Sequence, residues 1–265
     1  MDFIAYIEGI TLESFLAARP QLDKIRLQYG GQIPDELVDP LGVLVAESSY
    51  NERAMSYVCG LGGIIGEQSN YANKYIVQSQ VMAAYAVEEG GFLRRGFLDP
   101  HSSLREFMLK TAIEVVGTEV PDIEFAKRCR DRMGDIYLWR GNVPEVADRF
   151  GAMLGAHFAS EYLAACQEFP ILTKLFETKQ PELMAKLRNT QESHFGFSAA
   201  AWLEGHPSVE LKHAGYAARA AEAAAYGLPN PEVFWASFEV GFEEFCRNDA
   251  EYFAGLRTIC KGVAA

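Results

Sequence analysis

The sequence predicts an all-α protein, and three observations support that prediction. Apolar residues recur at intervals of three and four along most of the 265-residue chain, whereas the period-two alternation of half-buried strands is missing. Prolines and glycines stand where these helical patterns begin and end. Hydrophobic residues make up 49% of the chain, enough for a large core without disulfides. Because no linker-like segment separates the helical patterns, we expect residues 1–265 to form a single-domain multi-helix bundle.

Charge and cysteine content narrow the possible functions. A formal net charge of -12 repels phosphate backbones, so we expect no nucleic-acid partner. No stretch approaches the roughly 18 uncharged apolar residues that a membrane span needs, and the acidic N-terminus lacks the basic start of a signal peptide. Five widely spaced cysteines without a CxxC pair are typical of reduced thiols. We therefore expect a soluble cytoplasmic protein that acts on a small molecule; acidic all-α enzymes of this size are commonly homodimers.

Glycine and proline delimit the helices of the first half. The stretch "TLESFLAARPQLDKIRLQYGG" predicts a helix, a break at Pro20 and a second helix that ends at Gly30. Later helices are predicted to end at Gly60, Gly90 and Gly117. The glycines of "CGLGGIIGEQSN" superficially resemble a dinucleotide-binding loop, but that loop follows a strand, and the residues before these glycines have a helical pattern. We interpret the segment as a glycine-rich loop, kink or close helix crossing.

The second half of the chain is punctuated more clearly. Pro144 and Pro181 each mark a first helical position, and the helix from Pro181 is predicted to continue to Gly205. Residues 204–207 are then a solvent-exposed turn, and Ser208 is the N-cap of the next helix.

The last helix carries an aromatic stripe. Four phenylalanines recur at spacings of four and three, which predicts a core-facing stripe: Phe234, Phe238, Phe242 and Phe245. The intervening acids are predicted to form the solvated face: Glu239, Glu243 and Glu244. A ligand-binding aromatic wall is the alternative interpretation of the stripe.

Histidines and glutamates recur on the predicted inward faces of three consecutive helices. His157 lies on an apolar stripe one turn before Glu161, and His194 lies on the apolar stripe of the next helix. Glu210 and His213 form a Glu-x-x-His pair, which helical di-iron carboxylate proteins use. Antiparallel packing would bring these groups into one cavity. Because carboxylate and imidazole ligands without thiolate suit iron or manganese better than structural zinc, the five residues are a candidate metal centre.

Other interpretations of the same residues stay open. A buried histidine is more often a satisfied core residue than a ligand, and Glu210 in a first helical turn would complement the helix dipole. Without a metal, His194 or His213 could act as a general base, with a buried glutamate such as Glu161 as the acid. Cys166, on the same helix as Glu161, could act as a nucleophile. A non-catalytic helical protein with an apolar binding pocket is the alternative from another class.

The order of these features resembles a known family over residues 145–260. Glu161 in "ASEYLAACQEF" and His194 in "NTQESHFGF" are followed by the Gly-Pro exit of "AAYGLPN" and by the aromatic last helix. In this order they resemble the heme-oxygenase-like helical superfamily, which includes TenA-type thiaminases, PqqC-type oxidases and di-iron oxidases. The resemblance implies a heme-oxygenase-like bundle in which Glu161 and His194 bind iron.

Part of that family's ligand set is missing from this chain. Di-iron members carry a further carboxylate and histidine after the equivalent of His194, where this sequence has Ser198 and Ala201. Those members also carry a glutamate and a histidine in the first half of the fold, for which this sequence has no clear match. The ligand set is therefore incomplete, replaced by Glu210 and His213, or lost. What the resemblance implies is a non-heme iron oxidase or oxygenase, with one or two irons, that acts on a small molecule.

Overall fold

Helices account for nearly all regular structure in the chain. The structure, a computed structural model, describes residues 3–68, 71–93, 100–117, 123–193 and 196–262. Within these ranges it contains no strand, only an isolated bridge between Gln191 and Ser198, which confirms the all-α class. None of the described helices combines the length and the apolar character needed to cross a bilayer. The finer heme-oxygenase-like assignment stays a prediction.

The first half of the chain contains eight described helices. These are α1 (Phe3–Glu8), α2 (Leu12–Ala17), α3 (Pro20–Tyr29), α4 (Pro40–Tyr50), α5 (Ala54–Glu67), α6 (Lys74–Leu93), α7 (Pro100–Val116) and α8 (Glu124–Tyr137). The predicted break at Pro20 is confirmed. The glycine-rich segment is not a loop, because it lies inside α5. A Cβ added at Gly62 would strike the Met82 sulfur of α6, so the close-crossing interpretation is correct there.

The second half contains the long helices that position the candidate site. They are α9 (Arg149–Leu163), a π-helical segment (Ala164–Glu168), α10 (Phe169–Lys179), α11 (Pro181–Asn189), α12 (Ala201–Ala225) and α13 (Pro231–Cys260). The helix predicted from Pro144 begins later, at Arg149, where the Asp148 side chain accepts a hydrogen bond from the Gly151 amide. The helix predicted from Pro181 to Gly205 is also wrong, since α11 ends at Asn189.

The prediction of a solvent-exposed turn at residues 204–207 is wrong, because α12 continues through Pro207. A proline cannot donate to the carbonyl four residues earlier, so the carbonyl of Leu203 loses its helical donor. The hydroxyl of Thr173 in α10 donates to that carbonyl at 3.3 Å instead. This contact between helices compensates for the missing bond, and α12 runs through Pro207. Ser208 is therefore not an N-cap, and His206 is a buried helical residue.

Glycines bring α9 and α13 into direct backbone contact. A Cβ at Gly151 would lie 2.6 Å from the carbonyl oxygen of Phe234. One at Gly155 would overlap the carbonyl group of Phe238, and one at Gly241 would overlap a carbonyl of α9. Because real Cβ atoms do not approach backbone this closely, only glycine fits at these positions. The crossing fixes α9 in the interior, where it also packs against α12.

The phenylalanine stripe of α13 is confirmed as core. All four of its side chains are buried: Phe234, Phe238, Phe242 and Phe245. The predicted solvated face is wrong at one position. Glu244 is buried and accepts a hydrogen bond of 3.0 Å from Arg132 of α8. The stripe therefore packs the core, while α8 covers part of the face that was predicted to meet solvent.

We expect Gly155→Ala to destabilise the fold by about 2–3 kcal/mol or more, since the added methyl group meets rigid backbone. Gly215→Ala is the matched control, because it adds the same methyl inside α12 with no neighbouring atom within 4 Å. We expect that control to be neutral or to gain up to about 1 kcal/mol of helix propensity. Urea unfolding followed by circular dichroism measures both variants. Equal midpoints would contradict the close crossing.

Candidate metal centre

Helices α9 and α12 bring two glutamates and a histidine together in the core. Glu161 lies near the C-terminal end of α9, and Glu210 and His213 lie in the middle of α12. One ligand atom from each of the three lies within 4.8 Å of the others. All three side chains are buried, and His213 is fully inaccessible. The Glu-x-x-His pair thus projects as the spacing predicted, and this buried group could hold a metal ion.

His213 links the two carboxyl groups. Its Nδ1 lies 3.0 Å from Glu210 Oε2 and 3.4 Å from Glu161 Oε2. Burial disfavours an imidazolium, but the hydrogen bonds to Glu161 and Glu210 outweigh burial and raise the pKa of His213 to about 11. Burial would raise the pKa of Glu161 as well, yet the hydrogen bond from His213 lowers it to about 2. Without a metal, a protonated His213 therefore neutralises Glu161.

His157 contacts the other oxygen of Glu161. Its Nδ1 lies 3.4 Å from Glu161 Oε1 and 3.4 Å from the hydroxyl of Tyr137. Burial lowers the pKa of His157, although the charge of Glu161 partly offsets this effect. His157 was predicted as a ligand. It lies beside the group of three rather than within it, since its ring nitrogens are not among the atoms that lie within 4.8 Å of one another.

His194 lies outside the described residues. It was predicted both as a ligand and as a catalytic residue, on the argument that it faces inward from a helix. Its neighbours Ser193 and Gly196 belong to the turn between α11 and α12, and Gly196 has a φ of +69°. Because α11 ends at Asn189, the helix from Pro181 to Gly205 on which that argument relied is not formed, and the role of His194 stays a prediction.

His206 is buried in α12 and not in the solvent-exposed turn that the sequence predicted. Together with Glu161 and Glu210 it lines a cavity of about 30 Å³. Its ring stacks on Phe169 with 4.2 Å between ring centroids and meets Trp202 edge-on at 4.3 Å. Its Nδ1 is also hydrogen-bonded to the Trp202 carbonyl. Burial lowers the pKa of His206 to about 4, so the imidazole is neutral at physiological pH.

A second buried acidic network is built from α4, the π-helical segment and α13. The carboxyl groups of Glu47 and Glu168 share a hydrogen bond, and the Asn51 amide donates to each at 2.8 Å. The side-chain amide of Gln167 donates to Asp249 Oδ2 at 2.7 Å. Burial raises the pKa of all three acids, and that of Asp249 to about 7. No pattern in the sequence predicted this network, because α4, the π-helical segment and α13 lie far apart along the chain.

The two networks hold their acids in different states. His213 lowers the pKa of Glu161, whereas burial raises the pKa of Glu47 and of Glu168. Among the described residues, Glu161, Glu210 and His213 are the one group of three whose ligand atoms lie within 4.8 Å of one another. The candidate metal centre is therefore confined to α9 and α12.

Cys166 is poorly suited to act as a nucleophile. It lies in the π-helical segment, where burial raises the pKa of its thiol to about 11. A reactive cysteine needs a thiolate, and its pKa is lowered by positive neighbours. Cys166 is therefore predominantly a thiol at neutral pH, which weakens the nucleophile alternative.

We expect the free energy of unfolding of Asp249→Asn to fall less than that of wild type as the pH rises. The folded chain holds a proton on Asp249 up to about pH 7, whereas an exposed aspartate releases it near 3.8. The stability from this proton is complete below pH 3.8 and is lost as pH rises through 7. The asparagine still accepts from Gln167 and cannot ionise, so its advantage over wild type should grow by about 1–3 kcal/mol between about pH 4 and 8.

Urea unfolding at several pH values measures this difference. Glu251→Gln removes an exposed carboxyl from the same helix and controls for the change in net charge. A stability difference for Asp249→Asn that is the same at about pH 4 and pH 8 would contradict a buried, protonated aspartic acid.

Comparison with known proteins identified no relative of this chain. No family model, no curated protein and no solved structure matches the chain. The heme-oxygenase-like resemblance therefore stays a prediction, and the geometry of α9 and α12 carries the functional argument.

Proposed function

We propose that this protein is a metal-dependent oxidoreductase with a non-heme iron centre on Glu161, Glu210 and His213. The observation that carries the proposal is the buried group of two carboxyls and an imidazole with ligand atoms within 4.8 Å of one another. Burying two carboxylates side by side is costly unless their charge is compensated. A divalent ion with both carboxylates and a neutral His213 has zero net charge. Oxygen and nitrogen donors without thiolate favour iron or manganese over structural zinc.

The surrounding residues fit such a centre. An iron ion bound there would supply the electrons for dioxygen chemistry on a small-molecule substrate. The Nδ1 of His157 lies 3.4 Å from the second oxygen of Glu161 and 3.4 Å from the hydroxyl of Tyr137, so these two side chains help to fix the orientation of that carboxylate, His157 by direct contact and Tyr137 through His157. The adjoining cavity of about 30 Å³ has room for a water or a diatomic molecule. A larger substrate would need the cavity to widen.

The cellular setting belongs to the same proposal. The five cysteines are all free, which fits the reducing cytoplasm. The net charge of -12 favours a small-molecule substrate over a nucleic-acid partner. A homodimer is the oligomeric state that we propose.

A metal-free acid–base enzyme is the second candidate. The observation that favours it is the pairing of His213 with Glu161, which already compensates the buried charge without an ion. A general base works best when its pKa lies near the working pH. Because the pKa of His213 is about 11, this residue would serve as an acid and not as a base at neutral pH. A non-catalytic binding protein remains the third candidate, and it predicts neither retained metal nor turnover.

We expect the purified protein, loaded with ferrous iron without oxygen and then desalted, to retain one or two irons per chain. Addition of oxygen should change its absorption spectrum. The double variant Glu161→Gln/His213→Ala should lose at least about 100-fold in iron affinity, because it removes two of three ligands. Glu204→Gln, which changes an exposed side chain on the same helix, is the matched control and should bind like wild type. Elemental analysis per chain is the measurement.

Two other results would distinguish the metal centre from the acid–base enzyme. Wild-type protein that retains no iron, manganese or zinc under these conditions would overturn the metal centre. An activity that survives a chelator but not His213→Ala would then support the acid–base enzyme. Circular dichroism of each variant confirms that it is folded before the metal content is compared.

A further inference from the structure

We infer that the side chain of Met55 is the gate of the cavity beside Glu161 and Glu210, and that it limits entry to molecules with a slim, unbranched end. As a determinant of substrate size, Met55 rests on the proposed function, because the substrate has to reach the two glutamates. The gate itself is a property of the fold, and protein without metal has it as well.

The mouth of the cavity lies between the start of α5 and the junction of α9 with the π-helical segment. On the side of α10 and α12 the cavity is closed by buried side chains, which include Phe169, His206 and Glu210. The described lining residues that are only half-buried, here called the mouth residues, are Asn51, Ala54, Met55, Ser160 and Ala164. A molecule that enters the cavity from solvent therefore passes between the mouth residues.

Met55 is the mouth residue that can open the cavity. The two alanines and the serine of the mouth have side chains too small to cover an opening. Asn51 is held in place, because its amide donates hydrogen bonds of 2.8 Å to two carboxyls of the second network. Met55 is long and unbranched, and a thioether chain changes rotamer at low cost. Rotation of this one side chain would therefore widen the cavity of about 30 Å³ toward solvent.

The backbone that carries Met55 is fixed, so the side chain moves and the helix does not. Two residues after Met55, the hydroxyl of Tyr57 donates to the carbonyl of Arg130 in α8 at 3.1 Å. A Cβ added at Gly134 of α8 would strike the ring of Tyr57, because α5 and α8 pack closely at this point. Rotation of one unbranched side chain opens a passage of about its own cross-section. An unbranched end therefore passes the gate, whereas a branched or ring-shaped end does not.

The rate at which a thiol inside the cavity is labelled measures the gate. His206→Cys places a thiol in the cavity away from the mouth residues, and the exposed native Cys59 is the internal reference. Butyl and cyclohexyl methanethiosulfonate carry an unbranched chain and a ring, and each forms a disulfide with a thiol that it reaches. Peptide mass spectrometry of metal-free protein gives the labelling rate at position 206 relative to Cys59 for each reagent.

With Met55 in place we expect the butyl reagent to label position 206 at least about 10-fold faster than the cyclohexyl reagent, each relative to Cys59. Met55→Ala should bring the two rates close together. Ile64→Ala is the matched control, because it shortens a half-buried apolar side chain of α5 that does not line the cavity, and it should keep the preference. Equal rates with Met55 in place, a preference that survives Met55→Ala, or its loss in Ile64→Ala would overturn the gate.

A second reporter covers the case in which His206→Cys does not fold. Val58 lines the cavity one turn after Met55 and is 1% exposed, so Val58→Cys combined with Cys59→Ser also places a thiol inside. Added glutathione is then the reference thiol. Metal retention by wild type is measured separately. Gated labelling without retained metal would overturn the proposed function and leave the gate of the cavity standing, whereas retained metal with labelling that shows no preference would overturn the gate alone.

Discussion

The close contact between α9 and α13 is the constraint on which the rest of the structure depends. At Gly151, Gly155 and Gly241 the two backbones lie so near that a Cβ would overlap a carbonyl group. Such a contact leaves no room for a side chain at these three positions, and the ring of Phe158 packs beside the crossing against Phe238 and Phe242. On another face of α9, Glu161 is buried and meets His213 of α12. The polar site is thus a consequence of where the small residues lie.

Because α9 is interior, the polar groups that it carries must be satisfied by protein. A buried carboxylate needs a cation, a proton or several hydrogen bonds to offset its lost hydration. Glu161 has a cation beside it, the imidazolium of His213, and its other oxygen contacts His157. The low pKa of Glu161 and the high pKa of His213 follow from that pairing. The same arrangement suits a metal ion, since the ion would replace the proton on His213 and act as the compensating charge.

Periodicity and spacing correctly predicted features that are determined within a single stretch of chain. The phenylalanine stripe of α13, the helix break at Pro20 and the shared face of Glu210 and His213 all follow from local geometry. The failures have a different origin. Pro207 is tolerated inside α12 because a hydroxyl from α10 replaces its missing bond, and no local pattern reports that contact. His206 was assigned to solvent for the same reason, and the acids of the second network meet only through tertiary packing.

The two buried networks illustrate how the supply of positive charge decides the chemistry of an acid. Glu161 and Glu210 share their site with His213, which can carry a proton or release it to make room for an ion. Glu47 and Glu168 both accept from the Asn51 amide, and Glu47 also accepts a hydrogen bond of 2.7 Å from the hydroxyl of Tyr252. These neutral donors do not outweigh burial, which raises the pKa of both acids. Asn51 contacts this pair and also lines the cavity of the first network. Because burial raises the pKa of Glu47 and Glu168, their protonated forms are favoured, and protonation of these acids reduces the negative charge beside the first network.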